Sequence, residues 1–228
     1  MSQPDPAEPP QPAEPPQPAD PAAAATAATS TISTARLETF SDGVFAIAAT
    51  LLILDVHTTT SHHLGHSLLH LWPSYAAYAV SFLTIGIIWI NHHTVFGLIL
   101  KVNRLFLLIN VCFLMLVAFI PFPTSLIAAQ LRGHDLGPAA VAYGATLTVT
   151  AAFFNALWFY AADHHRLLDP AADPRVARGI SRSYLPGPFI YLAATLVALV
   201  SPVTSVVLFA LITVFYILES SRFGGSPG

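Results

Sequence analysis

The sequence predicts an all-α integral membrane protein with six transmembrane helices per subunit. Of its 228 residues, 54% are hydrophobic and 9% are charged, and the mean hydropathy is +0.64. So few charges cannot cover a water-facing surface. Basic and acidic residues nearly balance outside the first 34 positions, which excludes the electrostatic footprint of a nucleic-acid-binding protein. The single cysteine, Cys112, allows no disulfide within the chain.

The first 34 residues differ in composition from everything that follows. The hexapeptide Ala-Glu-Pro-Pro-Gln-Pro occurs at 7–12 and again at 13–18. Because this segment has almost no core-forming side chains, we predict a disordered Pro/Ala-rich cytoplasmic tail. A proline-rich ligand for a partner domain is the alternative, whereas a signal peptide would need a basic start and a hydrophobic centre. We expect a six-helix transmembrane domain at 35–221 and a short C-terminal tail at 222–228.

Six apolar segments follow the tail, and a helix needs about 20 residues to cross a hydrocarbon core. They lie at 37–57, 72–98, 104–129, 138–162, 185–200 and 202–219. Proline removes a backbone donor, so Ser201-Pro202 predicts a hairpin between the last two helices. Pro121 and Pro123 are expected to break the third helix near its outer end.

Basic residues set the orientation, because positive charge in short loops stays on the cytoplasmic side. If both termini are cytoplasmic, only Arg132 lies outside. The cytoplasmic side then holds Arg36, Lys101, Arg104, Arg166, Arg175, Arg178, Arg182 and Arg222. This asymmetry supports an even number of spans, and we expect a multi-pass protein of a cell membrane.

Polar residues in three segments lie at a similar depth. The first helix begins near Arg36, the second ends in Trp89-Ile-Asn-His-His93, and the third carries Asn110 soon after its start. At ~1.5 Å per residue, these groups occupy one layer near the cytoplasmic face. Since buried polar groups usually pair, we predict a hydrogen-bond network of Arg36, Ser41, Asp42, Asn91, His92, His93 and Asn110.

A metal site or a proton relay is the functional alternative for this layer. Either would need ligands that converge on one point. Adjacent residues on a helix point about 100° apart, so at most one of His92 and His93 faces Asp42. The structural network is therefore favoured.

Four motifs carry a resemblance to a known family. They are Arg36-x-x-x-Phe40-Ser41-Asp42, Ile47-Ala-Ala-Thr50-Leu51, Trp89-x-x-His92-His93 and Pro121-Phe-Pro-Thr124. In these motifs the sequence resembles the bacterial single-repeat members of the transmembrane protein 175 family of lysosomal potassium channels. The likeness covers most of 36–219, and the sequence has no Thr-Val-Gly-Tyr-Gly filter of the kind found in ordinary potassium channels.

The resemblance implies a potassium-permeable channel that assembles as a homotetramer, with the first helix of each subunit lining a central pathway. The expected partners are other copies of the chain, the lipid bilayer, potassium and other monovalent cations, with no cofactor. By position, Ile47 would form the narrowest ring, Leu51 and Leu54 further apolar rings, and Thr50 a candidate for the preference for potassium. The Phe-Ser-Asp element would pack helices together rather than contact ions.

The residues themselves fit this implication. Ile47, Leu51 and Leu54 follow the i, i+4, i+7 spacing of a single helical stripe, with no charge between Asp42 and Asp55. Most such stripes pack against other helices. Four copies around an axis would instead close apolar rings that gate by dewetting. Asp55 would then add an acidic ring at the outer mouth, or be a simple interfacial carboxylate.

Histidines cluster in the segment that follows the first helix. His62, His66 and His70 share one stripe if this segment is helical, and His57 and His63 belong to the same cluster. Imidazoles at this spacing can bind zinc or copper, or respond to pH near 6.5. The alternative is a Ser/Leu/His loop that lies at the membrane interface.

Other functional classes are less well supported. A secondary transporter of cations or small solutes often has repeated halves and mid-membrane binding groups, but the centre of the first helix carries no ionisable residue and no repeat is visible. Enzyme motifs such as His-Glu-x-x-His and Gly-x-Ser-x-Gly are absent from the sequence, so we expect no enzymatic activity. No helix carries an arginine ladder, so steep voltage sensing is not expected.

Overall fold

A computed structural model describes residues 34–56, 64–163 and 167–223. Nine α-helices form within these ranges, and a 3-10 turn at Leu52–Asp55 extends the first of them. The helices are α1 (Thr34–Leu51), α2 (Leu64–His70), α3 (Trp72–Phe96), α4 (Arg104–Phe119), α5 (Pro121–Gln130), α6 (Leu136–Ala162), α7 (Pro174–Tyr184), α8 (Gly187–Val197) and α9 (Pro202–Phe223). Most of the predicted tail at 1–34, and the last residues of the chain, lie outside the described ranges.

Five helical segments of the described chain are long and apolar enough to cross a membrane. They are Thr34–Leu54, Trp72–Phe96, Arg104–Gln130, Leu136–Ala162 and Pro202–Glu219. These match five of the six predicted spans. The sixth, at 185–200, contains α8, whose 11 residues form an α-helix shorter than the ~20 residues that a full crossing needs.

The third predicted span is interrupted, as its prolines suggested. It consists of α4 and α5, with a turn at Ile120 whose N–H donates to Val117 O at 3.1 Å. Pro121 and Pro123 lie in the first turn of α5, where a missing N–H costs nothing because that group has no helical partner. The pair of prolines therefore ends one helix and starts the next without breaking the span.

Side-chain caps fix the starts of two helices. Asn103 accepts a hydrogen bond from Phe106 N at 2.9 Å before α4, and Asp173 accepts one from Arg175 N at 2.8 Å before α7. Each cap satisfies a backbone donor that the helix itself leaves unpaired. Helix α7 has no counterpart among the predicted segments, because its sequence is polar and lies between two apolar segments.

Helix α6 lies at the centre of the bundle and packs against α4, α5, α8 and α9. Its Gly144 lies so close to two neighbouring helices that a methyl group there would collide with the side chains of Thr195 and Phe209. Small residues permit this close approach between membrane helices. Helix α1 packs on α3 and α4 at the edge of the same bundle.

Two loops at one end of the bundle are joined by backbone hydrogen bonds. Ile99 and Leu168 form an isolated antiparallel bridge, with Leu100 N donating to Leu167 O and Asp169 N donating to Leu98 O, each at 2.9 Å. The loop after α3 and the loop after α6 therefore lie at the same end of the molecule. This is the end at which α1 begins, because Glu38 contacts His93 near the end of α3.

Candidate pore-lining site

Helix α1 has one buried face and one exposed face. Leu37, Ser41, Phe45 and Ala48 are buried against α3 and α4. The predicted stripe lies on the other face, where the exposed fractions of Ile47, Leu51 and Leu54 are 60%, 42% and 62%. These three side chains are therefore not part of the core of their own subunit.

The exposed face of α1 is smooth and carries one hydroxyl near the stripe. Gly43 and Ala46 lie on this face, and nothing comes within 4 Å of the position that a Cβ would take at Gly43. Thr50 is exposed beside Ile47, and its Oγ1 can donate to Ala46 O at 2.9 Å or to Ile47 O at 3.0 Å. Because the helix uses the hydroxyl proton, the oxygen lone pairs of Thr50 remain available on the exposed side.

Three buried polar side chains connect α1, α3 and α4. Asn110 Nδ2 donates to Ser41 Oγ at 3.1 Å, and Ser41 Oγ donates to Leu37 O at 2.8 Å. The amide oxygen of Asn110 lies 3.0 Å from His92 Nε2. Since that oxygen can only accept, His92 donates from Nε2. Ser41, His92 and Asn110 are all fully buried, so these bonds hold three helices in one register.

The ring of His92 lies among aromatic side chains. It stacks on Phe96 at a centroid distance of 4.1 Å and on Phe113 at 5.7 Å, and it meets the edge of Phe45 at 5.3 Å. Its Nδ1 is buried and has no hydrogen-bond partner among the described residues. With the proton on Nε2, Nδ1 is an acceptor, and an unpaired acceptor is tolerated better than an unpaired donor.

A second set of contacts joins α1 to α3 nearer the surface. Trp89 Nε1 donates to Asp42 Oδ1 at 2.8 Å, and Glu38 Oε1 lies 3.0 Å from His93 Nδ1. The two acidic residues are four positions apart on α1, and their partners are four positions apart on α3. Because the two helices run antiparallel, the spacing matches on both sides.

The predicted polar layer is thus divided into separate groups. Neither His92 nor His93 hydrogen-bonds to Asp42, and Asn91 accepts from the Tyr184 hydroxyl at 3.3 Å instead. Burial, followed by the charge of Glu219, raises the pKa of Tyr184 to about 12, so this hydroxyl stays protonated and able to donate. Arg36 departs from the prediction, because it is exposed and hydrogen-bonds to none of the other described residues of this layer.

Two of these partners, Glu38 and Tyr184, are not members of the predicted polar layer. The sequence does hold a signal for Glu38. It lies four residues before Asp42, and His93 lies four residues after Trp89, so two antiparallel helices can pair both sets. Tyr184 has no comparable signal in the sequence, because α7 lies between the predicted spans.

Much of the predicted outer site lies beyond what the structure describes. His57, His62 and His63 lie outside the described residues, as do the side chains of Asp55 and His66. His70 ends α2, and its Nδ1 lies 2.7 Å from Arg132 Nη1. Within the described ranges, no three His, Cys, Asp or Glu side chains are grouped so as to hold a metal ion. The histidine site therefore stays a prediction.

Comparison with known proteins identifies the family. Residues 36–121 match the family model described as the endosomal/lysosomal potassium channel TMEM175. The chain is 39% identical over 193 residues to a protein of Chamaesiphon minutus named a potassium channel, a match that covers 82% of this chain and 95% of that protein. The chain belongs to the TMEM175 family. It is also 40% identical over 185 residues to a Streptomyces collinus protein named a potassium channel, covering 79% of this chain and 90% of that protein.

Solved structures agree with this assignment to the TMEM175 family. A crystal structure described as a lysosomal potassium-selective channel TMEM175 homolog from Chamaesiphon minutus superposes with a TM-score of 0.75 at 37% identity, covering 82% of this chain and 97% of that one. The potassium channel MtTMEM175, solved as a variant in complex with a nanobody fusion protein, is 21% identical with a TM-score of 0.56 and shares the fold; the match covers 82% of this chain and 92% of that one. The protein is therefore a multi-pass membrane protein from a family of ion channels, not of enzymes.

Vertebrate members of the TMEM175 family are much longer. The chicken protein, named an endosomal/lysosomal proton channel, is 33% identical over 147 residues, which are 59% of this chain and 29% of that protein. The match to the human protein of the same name covers 44% of this chain and 23% of that protein at 38% identity.

Proposed function

We propose that this TMEM175-family protein is a potassium-permeable cation channel whose pore is lined by α1 from four identical subunits. Potassium and other monovalent cations are the permeant ions, and no cofactor takes part. The relatives named potassium channels support the activity, since this chain aligns with nearly their whole length. Phe40, Ser41 and Asp42 lie outside the conducting path and serve helix packing.

One observation carries the proposal, namely the exposed stripe on a helix whose other face is buried. Ile47, Leu51 and Leu54 are free to meet their equivalents at a symmetry axis, because no element of the described subunit covers them. Their neighbours Gly43 and Ala46 are small, which suits the close approach of four helices. A stripe used for packing within the subunit would be buried instead.

Four such stripes would make apolar rings at three levels of the pore. Ile47 forms the narrowest ring, with Leu51 and Leu54 toward the outside. A narrow apolar ring expels water, so conduction requires the side chains to move aside or a partly dehydrated ion to pass. Thr50 lies beside the narrowest ring and offers an oxygen whose proton is held by its own helix. A ring of such oxygens would favour a cation that sheds water more easily, which is potassium rather than sodium.

The proposed topology has six spans and both termini in the cytoplasm, and the proposed location of the subunit is the plasma membrane. The bridge between Ile99 and Leu168 joins two loops of the same side, as this topology requires. Helices α8 and α9 form the last hairpin, with the turn at 198–200 extending α8. Residues 1–34 form a solvated tail, and Asp55 supplies an acidic ring at the outer mouth.

Electrical recording decides between a channel and a transporter. Purified protein in a planar bilayer, with potassium on one side and sodium on the other, should give discrete unitary currents that reverse toward the potassium equilibrium potential. Flux without unitary currents would indicate the secondary transporter instead. Because vertebrate relatives are named proton channels, a pH gradient across the same bilayer should be added to test proton permeation.

A further inference from the structure

An apolar groove opens on the outer half of the helical bundle, away from α1. It lies between α3, α5, α6 and α9 and has a volume of about 300 Å³. Its walls are almost entirely hydrocarbon, provided by Ala76, Ala77, Val80, Ile127, Val206 and Val207. An apolar cavity of about 150 Å³ already holds a benzene molecule. This groove is therefore large enough for a stretch of aliphatic chain.

The rim of the groove is exposed on the outside of the subunit. Trp72, Val203 and Val207 line the groove, and their exposed fractions are 48%, 62% and 50%. Trp72 and Val203 begin spans at the same end of the bundle, so the groove runs inward from one membrane surface. Hydrocarbon from the adjacent leaflet can enter it without crossing a polar barrier.

The floor of the groove requires no polar ligand. Ser81 Oγ lies 3.1 Å from the Tyr143 hydroxyl, and Thr124 Oγ1 can donate to Ser81 Oγ at 2.8 Å. These buried hydroxyls hydrogen-bond to one another. A polar group at the floor would therefore lose its water without gaining a compensating hydrogen bond. The floor therefore suits the end of an acyl chain.

The mouth of the groove carries a cation. The guanidinium carbon of Arg132 lies 5.4 Å from the ring centroid of Trp72, and its Nη1 donates to His70 Nδ1. The Nε and Nη2 donors of Arg132 meet no acceptor among the described residues. A guanidinium above an interfacial tryptophan is a favourable partner for a phosphate group. The line from the mouth to the floor of the groove runs in the direction in which a lipid molecule lies in a leaflet.

We propose that this groove binds a phospholipid, with an acyl chain between α3, α5 and α9 and the phosphate on Arg132. The site lies about one helix diameter or more from the exposed stripe on α1, since α3 and α5 intervene. That the bound lipid comes from the outer leaflet depends on the topology given under the proposed function. The binding itself does not depend on conduction.

Native mass spectrometry of the detergent-extracted protein with added phosphatidylglycerol tests the site. The unmodified protein should retain phospholipid on each subunit. Ala76→Phe fills the groove and should abolish this retention, whereas Ala79→Phe, on an exposed position of the same helix outside the groove, should not. Arg132→Gln should weaken binding by about tenfold, the value of one hydrogen bond from a charged donor. Equal retention by all three variants would overturn the proposal.

Photo-cross-linking checks the same site without a mutation that could disturb folding. A phosphatidylglycerol with a diazirine near the end of one acyl chain, in vesicles that hold the full-length protein, should label the groove residues of α5 and α9. Labelling confined to exposed side chains such as Leu196 and Leu199 would refute the groove as a lipid site. A contact between two subunits at the groove would identify a neighbouring chain as the occupant instead. A protein that binds lipid but carries no current would refute the channel and leave the lipid site standing.

Discussion

The indole nitrogen of Trp89 donates a 2.8 Å hydrogen bond to the carboxylate of Asp42, joining α3 to α1 below the exposed stripe. Ile47 lies little more than one helical turn above this bond, so the angle at which α1 presents its exposed stripe depends on it. The same kind of cross-helix pairing occurs one turn away, where Glu38 of α1 contacts His93 of α3.

Trp89→Phe should destabilise the subunit while keeping its aromatic packing. Removing the donor leaves the Asp42 carboxylate without its partner, and hydrogen bonds to charged groups contribute about 1.5–3 kcal/mol, less where both groups are partly solvated. Thermal unfolding of purified protein followed by size-exclusion chromatography measures the loss. Asp42→Ala should be at least as damaging to assembly. Unchanged unfolding temperatures and elution volumes in both variants would show that this bond does not hold α1 in place.

Ile47→Asn should raise leak through the pore. A polar side chain wets an apolar ring, which lowers the barrier that dewetting imposes on ions. Single-channel recording measures the change as higher open probability or conductance. The matched control is Leu108→Asn, on an equally exposed position of α4. If both variants behave like the unmodified protein, the stripe on α1 does not line the pathway.

Thr50→Ala should reduce the preference for potassium over sodium. The change removes the hydroxyl lone pairs beside Ile47, where the narrowest ring is proposed, and leaves Ile47 itself unchanged. Reversal potentials under mixed potassium and sodium give the permeability ratio. Thr94 is the control, because it is also exposed and its hydroxyl likewise donates to its own helix, at Ile90 O. A ratio that falls equally in Thr94→Ala would argue against a specific role of Thr50.

Ser41 and Asn110 should be energetically coupled. Their hydrogen bond is fully buried, so either single alanine variant leaves the partner unsatisfied at a cost of about 1–3 kcal/mol. The double variant should cost less than the sum of the two. A double-mutant cycle on thermal or denaturant unfolding gives this coupling energy. Strictly additive effects would mean that the two side chains stabilise the helices independently.

Gly144→Ala should destabilise the junction of α6, α8 and α9. The added methyl group would meet Thr195 and Phe209, and overpacking of a well-packed core costs about 1–3 kcal/mol. Gly86→Ala on α3 is the control, because nothing lies within 4 Å of the position that its Cβ would take. Comparison of the two unfolding temperatures checks the prediction. A stable Gly144→Ala protein would show that Phe209 can move aside.

Much of the fold could be predicted from the sequence because hydrophobic length and proline position act locally. The spans that became α1, α3, α6 and α9 needed only a count of apolar residues, and Pro121 with Pro123 located the break in the third. Helix α7 could not be found in this way, since its residues are polar and its position depends on docking against α6. There Trp158 Nε1 donates to Ser181 Oγ at 2.9 Å.

The polar layer shows a different limit. Helical rise fixes how deep a residue lies, so the depths of Ser41, His92 and Asn110 could be predicted together. It does not fix the rotation of one helix against another, which decides the actual partners. Depth alone therefore places Arg36 with residues that it does not contact, and it gives no signal for the pairing of Glu38 with His93.

Polar bonds hold only the first half of α1. Glu38, Ser41 and Asp42 are fastened by directional contacts, whereas Phe45, Ala48 and Leu52 are held by van der Waals packing alone. The directional contacts therefore end before the exposed stripe begins. The orientation of Ile47, Leu51 and Leu54 is set by the fit of the apolar side chains on the opposite face and by the polar contacts at the start of the helix.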